Sequence, residues 1–311
     1  MPTRPERGMD HDLYSFTPIS TRGHIQAQGA RKVYFYILLY LEYWAIERAP
    51  DVYSDPRFAT EYGSYFPEFR TWSYREYGNR VGIYRILKLF DQADIKPAVP
   101  INALIPRVHP ELIDQIKKRG WEIIAHGLSA NRMITSQMET EEERSEIFTS
   151  RDLLTAAFGY RPRGWLGQDF GGTNKTSAIL AEAGFTYTLD WANDELPYRQ
   201  SGSNGLYAVP AFPDFDDVEA LWLRRVPLAR FTSLISEAVN RLEHEQAWGR
   251  VLGLGVHPWV FGASHRIKYL SAILDSLKAN PKVEIVTPGN VVDHLDERTI
   301  NSGCFKTVAD F

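Results

Sequence analysis

The sequence predicts an α/β protein in which mostly parallel strands, separated by helices, close into a (β/α) barrel. Three observations predict it. Strand-like apolar runs recur and end in chemically active side chains: VYFYILLYLE in Glu42, KPAVPIN in Asn102, WEIIAH in His126, FTYTLD in Asp190 and RVLGLGVH in His257. Helical patterns separate most of these runs, so β and α alternate, as a mostly parallel sheet requires. The 311 residues, 44% of them hydrophobic, are enough for one large core. In a parallel barrel the strand C-terminal ends open onto one face, where active sites are built.

The elements follow in order. Residues 1–30 are polar, with Pro, Gly and Arg, and read as an N-terminal arm; 31–311 read as one barrel domain. Val33–Leu41 is β-branched and aromatic and too short for a helix, which predicts a buried strand. Residues 51–77 form an insertion rich in Tyr, Phe, Trp and Pro. Val81, Tyr84, Leu87 and Phe90 recur at helical spacing over Gly78–Ala93. Pro110–Arg119 is a helix stopped by Gly120. Thr140 with Glu143 three residues on predicts a capping box opening a helix that ends at Gly159. A helix over Thr176–Ala183 is closed by Gly184. Strands are expected near 161–167, 185–191 and 207–211. Helix Phe231–Glu245 leads into strand 250–256, and helix Arg266–Ala279 into strand Val283–Thr287.

Composition excludes several classes. Net charge is −4 with acids and bases mixed, so no basic stripe for nucleic acid is present. The longest apolar run, near Tyr34–Leu41, is strand-sized, which predicts no membrane span. The N-terminus lacks an apolar segment of signal-peptide length, and a cytoplasmic protein is expected. The single Cys304 cannot form an internal disulfide; in its polar surroundings a surface or packing role outweighs a nucleophile. Eight aromatics of the insertion (Tyr53, Phe58, Tyr62, Tyr65, Phe66, Phe69, Trp72 and Tyr74) predict a homo-oligomer contact, the alternative being packing on their own barrel.

The candidate residues each carry a bland alternative. Glu42 can bind a metal, act as a base or hold a substrate amide; an ion pair with a loop Arg is the alternative. His126 sits in AHGLSANR. Zinc ligation wants a second His at HxxxH spacing, but position 130 is Ala. An acid, base or hydrogen-bonding role is therefore favoured. Asp190 stands near Asp194 and Glu195, and carboxylates this close perturb one another's pKa; loop capping explains at least one of them. Trp191 offers an apolar wall. His257 ends an apolar strand. Arg161, Arg163 and Trp165 in RPRGWLG form a further cluster, an Arg there being suited to an anionic intermediate. Asp216 and Asp217 read as loop carboxylates in a loop that reaches toward the mouth.

Together EYGNRVGIYRILKLFD, HPELIDQIKKRGWEIIAHG, RPRGW, LAEAGFTYTLDWANDELPY and GVHPWVFGASHR resemble the polysaccharide deacetylase (NodB-homology) superfamily, over about Leu13 to Val292. The resemblance implies a distorted, partly closed (β/α) barrel of the NodB type and hydrolysis of a non-peptide C–N bond. It also shows departures. The metal-dependent members end their first strand in paired Asp and carry His-x-x-x-His; here Glu42 and the pair His126 and Ala130 stand instead. The pattern is closer to the metal-independent, allantoinase-like branch, whose substrates are small cyclic amides. The expectation is a hydrolase of a small amide, cyclic imide or ureide, without metal or other cofactor. Its expected catalytic groups are His126, Asp190, His257 and Glu42, and its expected substrate contacts Asn102, Asn131, Arg163, Trp165, Trp191 and Glu195. The competing readings are a metal-dependent saccharide N-deacetylase with an atypical site and a non-catalytic barrel that binds a small molecule.

Overall fold

A computed structural model describes residues 10–19, 32–47, 69–201, 205–245 and 249–302. Its strands are β1 (Val33–Leu39), β2 (Val99–Ile101), β3 (Ile123–Ala125), β4 (Gly164–Trp165), β5 (Tyr187–Thr188), β6 (Tyr198–Arg199), β7 (Tyr207–Ala208), β8 (Val251–Val256) and β9 (Val283–Ile285). Helices α1 (Phe69–Tyr77) and α2 (Ile83–Ala93), joined by a π-type turn, lie between β1 and β2. The short α3 (Ile105–Val108) and α4 (Pro110–Arg119) lead to β3, α5 (Thr140–Phe158) to β4, and α6 (Thr176–Glu182) to β5. Then α7 (Leu228–His244) precedes β8, α8 (Pro258–Phe261) and α9 (Ile267–Ala279) precede β9, and α10 (Pro288–Ser302) follows it.

The ladder runs in parallel from β8 to β1 and from β2 through β3, β4 and β5 to β7. The far edge of β1 is shared: Val33–Phe35 pair with β9, and beyond them Leu38 and Leu41 bridge to Ala98 and Ile101, which joins the two sheets. Between β7 and β8 the wall is held by an isolated bridge, Asp216 to Gly255, and by the Val251 N–H donating to the Glu195 carbonyl. The result is a distorted, mostly parallel (β/α) barrel with one thin seam.

Strand periodicity decides what faces inward. Along β1 the odd positions, Val33, Phe35, Ile37 and Leu39, pack outward with the helices. Tyr34, Tyr36, Leu38 and Tyr40 pack together on the other face. Side chains alternate with period two, so Glu42 continues the inner series. His126 follows Ile124 on β3 in the same way, and Asn102 follows Ala98 at the end of β2. On β8 the inner positions are Gly253 and Gly255, and His257 continues them. A Cβ at Gly253 would stand 2.2 Å from the Tyr36 ring, so the barrel interior there is already filled by tyrosine.

Several expectations change. The capping box at Thr140 does not form: Glu139 takes the cap position without a side-chain bond, and Glu143 instead accepts from the Thr173 and Thr176 hydroxyls. The last part of the expected insertion is helix α1, and β6 adds an antiparallel edge strand to an otherwise parallel sheet. Of the insertion's aromatics, Tyr53, Phe58, Tyr62, Tyr65 and Phe66 lie outside the described residues, as does Cys304. Trp72 donates to the Trp44 carbonyl at 3.0 Å and Tyr74 stacks on Trp222, so both pack on their own chain, while Phe69 is exposed. No helix among the described residues is long and apolar enough to cross a membrane.

Candidate active site

The inner series ends in a pocket of about 430 Å³, open mouth included, at the strand C-terminal ends. Three amides hold the backbone that carries Glu42. Asn79 donates to the Glu42 carbonyl at 3.0 Å, Asn102 accepts the Tyr43 N–H at 2.9 Å, and Asn131 accepts the Ala45 N–H. Asn102 is fully buried and also donates to the His126 carbonyl, so one side chain ties the ends of β1 and β3 together.

Glu42 lies between two histidines. Its Oε1 is 3.7 Å from His126 Nε2 and 3.9 Å from His257 Nε2, and it accepts from Gln168 Nε2 at 3.0 Å; Oε2 accepts from Trp44 Nε1 at 3.1 Å. Burial opposes its charge, but His257 and His126 outweigh burial and hold its pKa down at about 2. His126 Nδ1 lies 2.6 Å from the Leu166 carbonyl, which can only accept, so Nδ1 carries a proton. In the neutral ring Nε2 therefore bears the lone pair; it is buried and has no hydrogen-bond partner.

His257 differs. Its Nδ1 donates to Asp217 Oδ1 at 2.6 Å, while its backbone N–H donates to Asp217 Oδ2 at 2.9 Å. The ring stacks on Tyr40 with centroids 4.0 Å apart and planes 9° apart. Burial alone would lower its pKa, but Asp216, Asp217 and Glu42 raise it to about 10, so His257 is an imidazolium at neutral pH. Gln168 is presented by an unusual turn: the next residues, Asp169 and Phe170, have φ of 56° and 57°. Left-handed backbone in consecutive non-glycine residues is strained, and such strain gathers at functional sites.

The structure brings Glu42, His126 and His257 together, with Asp190 one layer back. Asp190 accepts from the Gly167 N–H at 2.6 Å and the Thr188 hydroxyl at 2.5 Å, and burial lifts its pKa to about 6. It fixes the loop that carries Gln168. Other expected contacts lie elsewhere. Arg163 precedes β4 and so emerges at the opposite end of the barrel, where it pairs with Asp293 at 2.6 Å. Trp165 is fully buried on the outward face against Phe185. Trp191 packs on Tyr14, and Glu195 faces Arg250 at 3.4 Å beside a second hollow. Asp194 caps the Glu195 and Leu196 N–H groups. Asn102 and Asn131 hold backbone rather than line the pocket. Sequence reasoning did not assign Asp217, Gln168 or Tyr40; for Asp217 the signal was its place in a loop after an inner strand, on the site face.

Residues 76–188 match the family model described as polysaccharide deacetylase. The crystal structure of Puue allantoinase superposes with a TM-score of 0.79 at 24% identity, covering 89% of this chain and 95% of that one. A probable polysaccharide deacetylase from Pseudomonas aeruginosa PAO1 gives 0.77 at 23% identity, covering 89% and 95%. A putative polysaccharide deacetylase from Mycobacterium smegmatis gives 0.73 at 20%, covering 92% and 96%. No curated protein sequence matches. The resemblance drawn from the motifs thus holds: the chain has the NodB-homology fold, and its middle portion matches the polysaccharide deacetylase model.

Metal-dependent members of that superfamily would need clustered ligands. Among the described residues, Asp216, Asp217 and His257 offer ligand atoms within 4.8 Å of one another. The 2.6 Å between His257 Nδ1 and Asp217 Oδ1 is a hydrogen-bond distance, whereas two ligands on one tetrahedral zinc stand roughly 3.4 Å apart. Asp216 Oδ1 caps the Val218 and Glu219 N–H groups. Both oxygens of Glu42 already accept from N–H donors, and the second histidine of the metal motif is Ala130, buried with its N–H on the Tyr43 carbonyl. This donor set does not fit a metal ion.

Proposed function

We propose that the protein is a hydrolase of a non-peptide C–N bond in a small amide, cyclic imide or ureide, working through its own side chains without a metal. The observation that carries this reading is the Glu42 carboxylate set between the Nε2 atoms of two buried histidines, one with its Nδ1 on a backbone carbonyl and the other with its Nδ1 on a carboxylate. In its neutral form His126 offers a lone pair at Nε2, and His257 offers a proton. In this mechanism His126 Nε2 takes a proton from water, whose oxygen bonds to the substrate carbon. The His257 Nε2–H, held by Asp217, donates to the oxygen that gains negative charge. The C–N bond then breaks and the leaving nitrogen takes the proton from His126. Gln168, whose N–H is held by Glu42, accepts a substrate N–H at its Oε1. The oxyanion role that suited Arg163 on sequence grounds passes to His257, because Arg163 stands at the other end of the barrel.

The experiment is a hydrolysis screen over allantoin, hydantoins, cyclic imides and N-acetyl sugars, with metal analysis of protein purified without chelator. Turnover of a small amide or ureide by metal-free protein is expected. Stoichiometric zinc with turnover of N-acetyl sugars would replace this reading by a saccharide deacetylase. No turnover of any member would leave a binding barrel.

A further inference from the structure

The charge of the pocket says what kind of substrate it takes. Four carboxylates line it: Glu42, Asp169, Asp216 and Glu219. A fifth, Asp217, stands directly behind His257. Among the described residues no Lys or Arg lines the pocket. The facing cation is His257; Arg75 lies behind the Trp44 wall, 3.3 Å from its ring centroid, and Arg224 approaches Glu219 at 3.9 Å. Among the described residues the five carboxylates therefore outnumber these three cations in a partly closed space, where charges act through a low effective dielectric.

A second observation points to a ligand independently of that charge. Two polar atoms on side chains at least nine-tenths buried face this pocket without a hydrogen-bond partner: Gln168 Oε1, on a side chain 9% exposed, and His126 Nε2, on one 2% exposed and 3.7 Å from Glu42 Oε1. Gln168 has turned its amide N–H toward Glu42, so the oxygen left over is an acceptor. With Nδ1 on the Leu166 carbonyl, Nε2 is the His126 ring atom that faces the pocket. An unmet amide oxygen beside carboxylates calls for a ligand with several N–H donors. Tyr40, Trp44, Phe170 and Trp259 supply the apolar walls; Tyr40 is stacked on His257 and Trp44 already carries the Arg75 guanidinium 3.3 Å from its ring centroid, a planar cation on an aromatic face beside this pocket.

We infer that the site recognises amide or ureide substrates that also carry a delocalised nitrogen cation, of the amidinium or guanidinium class, in preference to uncharged ones and against carboxylates. This rests on the reading of the pocket as the active site and narrows its substrate class.

Acetamidinium, acetamide and acetate share one planar shape and differ in charge, so they isolate the effect. Their binding to the whole protein is followed by the fluorescence of Trp44 and Trp259. Acetamidinium should bind roughly tenfold or more tighter than acetamide, with acetate weakest, as one added ionic contact at such a distance provides. Glu219→Gln should shrink the preference several-fold. In the unmodified protein the same preference should fall as salt rises, which tests the idea without a variant. Equal affinities, tighter acetamide or acetate, a salt-independent preference, or no detectable acetamidinium binding would each overturn it. Turnover is not needed for this titration. A cation preference without hydrolysis of any amide would defeat the proposed reaction alone, and hydrolysis of neutral ureides without a cation preference would defeat this inference alone.

Discussion

Asp217 holds His257 twice, through the ring Nδ1 at 2.6 Å and through the backbone N–H at 2.9 Å. The two bonds fix the ring plane and keep its proton, leaving Nε2–H as the donor toward the pocket. Asp217→Asn removes the charge and one acceptor. We expect kcat to fall by ~10²–10⁴, and the alkaline limb of the pH–rate profile to move to lower pH. An unchanged limb would separate Asp217 from the chemistry.

The same pair predicts a pH-dependent stability. The folded pKa of His257 is raised from 6.5 to about 10. The folded state then binds the proton more tightly, so its stabilisation is complete below about 6.5 and is lost as pH rises through about 10. Melting temperature should decline across that window, and the decline should flatten in His257→Gln. On the acid side Glu42, lowered from 4.5 to about 2, stabilises fully above 4.5 and loses that contribution as pH falls toward 2.

The lone pair of His126 can be tested by deletion. His126→Ala should reduce kcat ~10²–10⁴-fold with the fold intact, since that is what a positioned base contributes. Near-normal turnover with a lowered melting temperature would mark His126 as structural.

Asn102 acts at a distance from the substrate. Its amide satisfies the Tyr43 N–H and the His126 carbonyl, both at strand ends. Asn102→Ala should cost about 1–3 kcal/mol through the buried groups left unmet, read as a lower denaturation midpoint. Asn102→Asp keeps the acceptor and loses the donor, so it should rescue little if the His126 contact matters.

How much of this was legible before the structure follows from periodicity. Glu42, His126 and His257 each extend the inner series of an apolar strand, and a period of two carries the side chain on in register. The same parity puts Trp165 outside, a consequence that the short RPRGWLG run hides. Arg163 stands before its strand rather than after it, which in a parallel barrel means the far end. Asp217 had no periodic signal, because its place beside His257 is set by the Asp216–Gly255 bridge, a contact between segments far apart in sequence. Glu143 looked like a cap by spacing, yet Thr173 and Thr176 claim it from another loop. Local patterns thus reported which residues reach the mouth, and long-range pairing decided which of them meet.

Gly255→Ala probes that long-range pairing. A Cβ there would stand 2.3 Å from Asp216 Oδ2, so Asp216 and the bridge must move. A loss of stability accompanied by loss of activity is expected, both followed in one thermal and kinetic series. Full activity in the variant would show that the bridge is dispensable.

The seam between β7 and β8 gives the barrel a hinge line. Elsewhere around the wall neighbouring strands share ladders or, between β1 and β2, a run of backbone hydrogen bonds, but here, among the described residues, one bridge and one further backbone bond connect the two sides. His257 rides on one bank and Asp217 on the other. An opening along this line is thus expected to stretch the dyad before it disturbs β1 or β3. Amide hydrogen exchange should accordingly be fastest, among the barrel strands, at the backbone flanking this line. The hydrogen-bonded dyad and the most sparsely tied line of the shell are one and the same place.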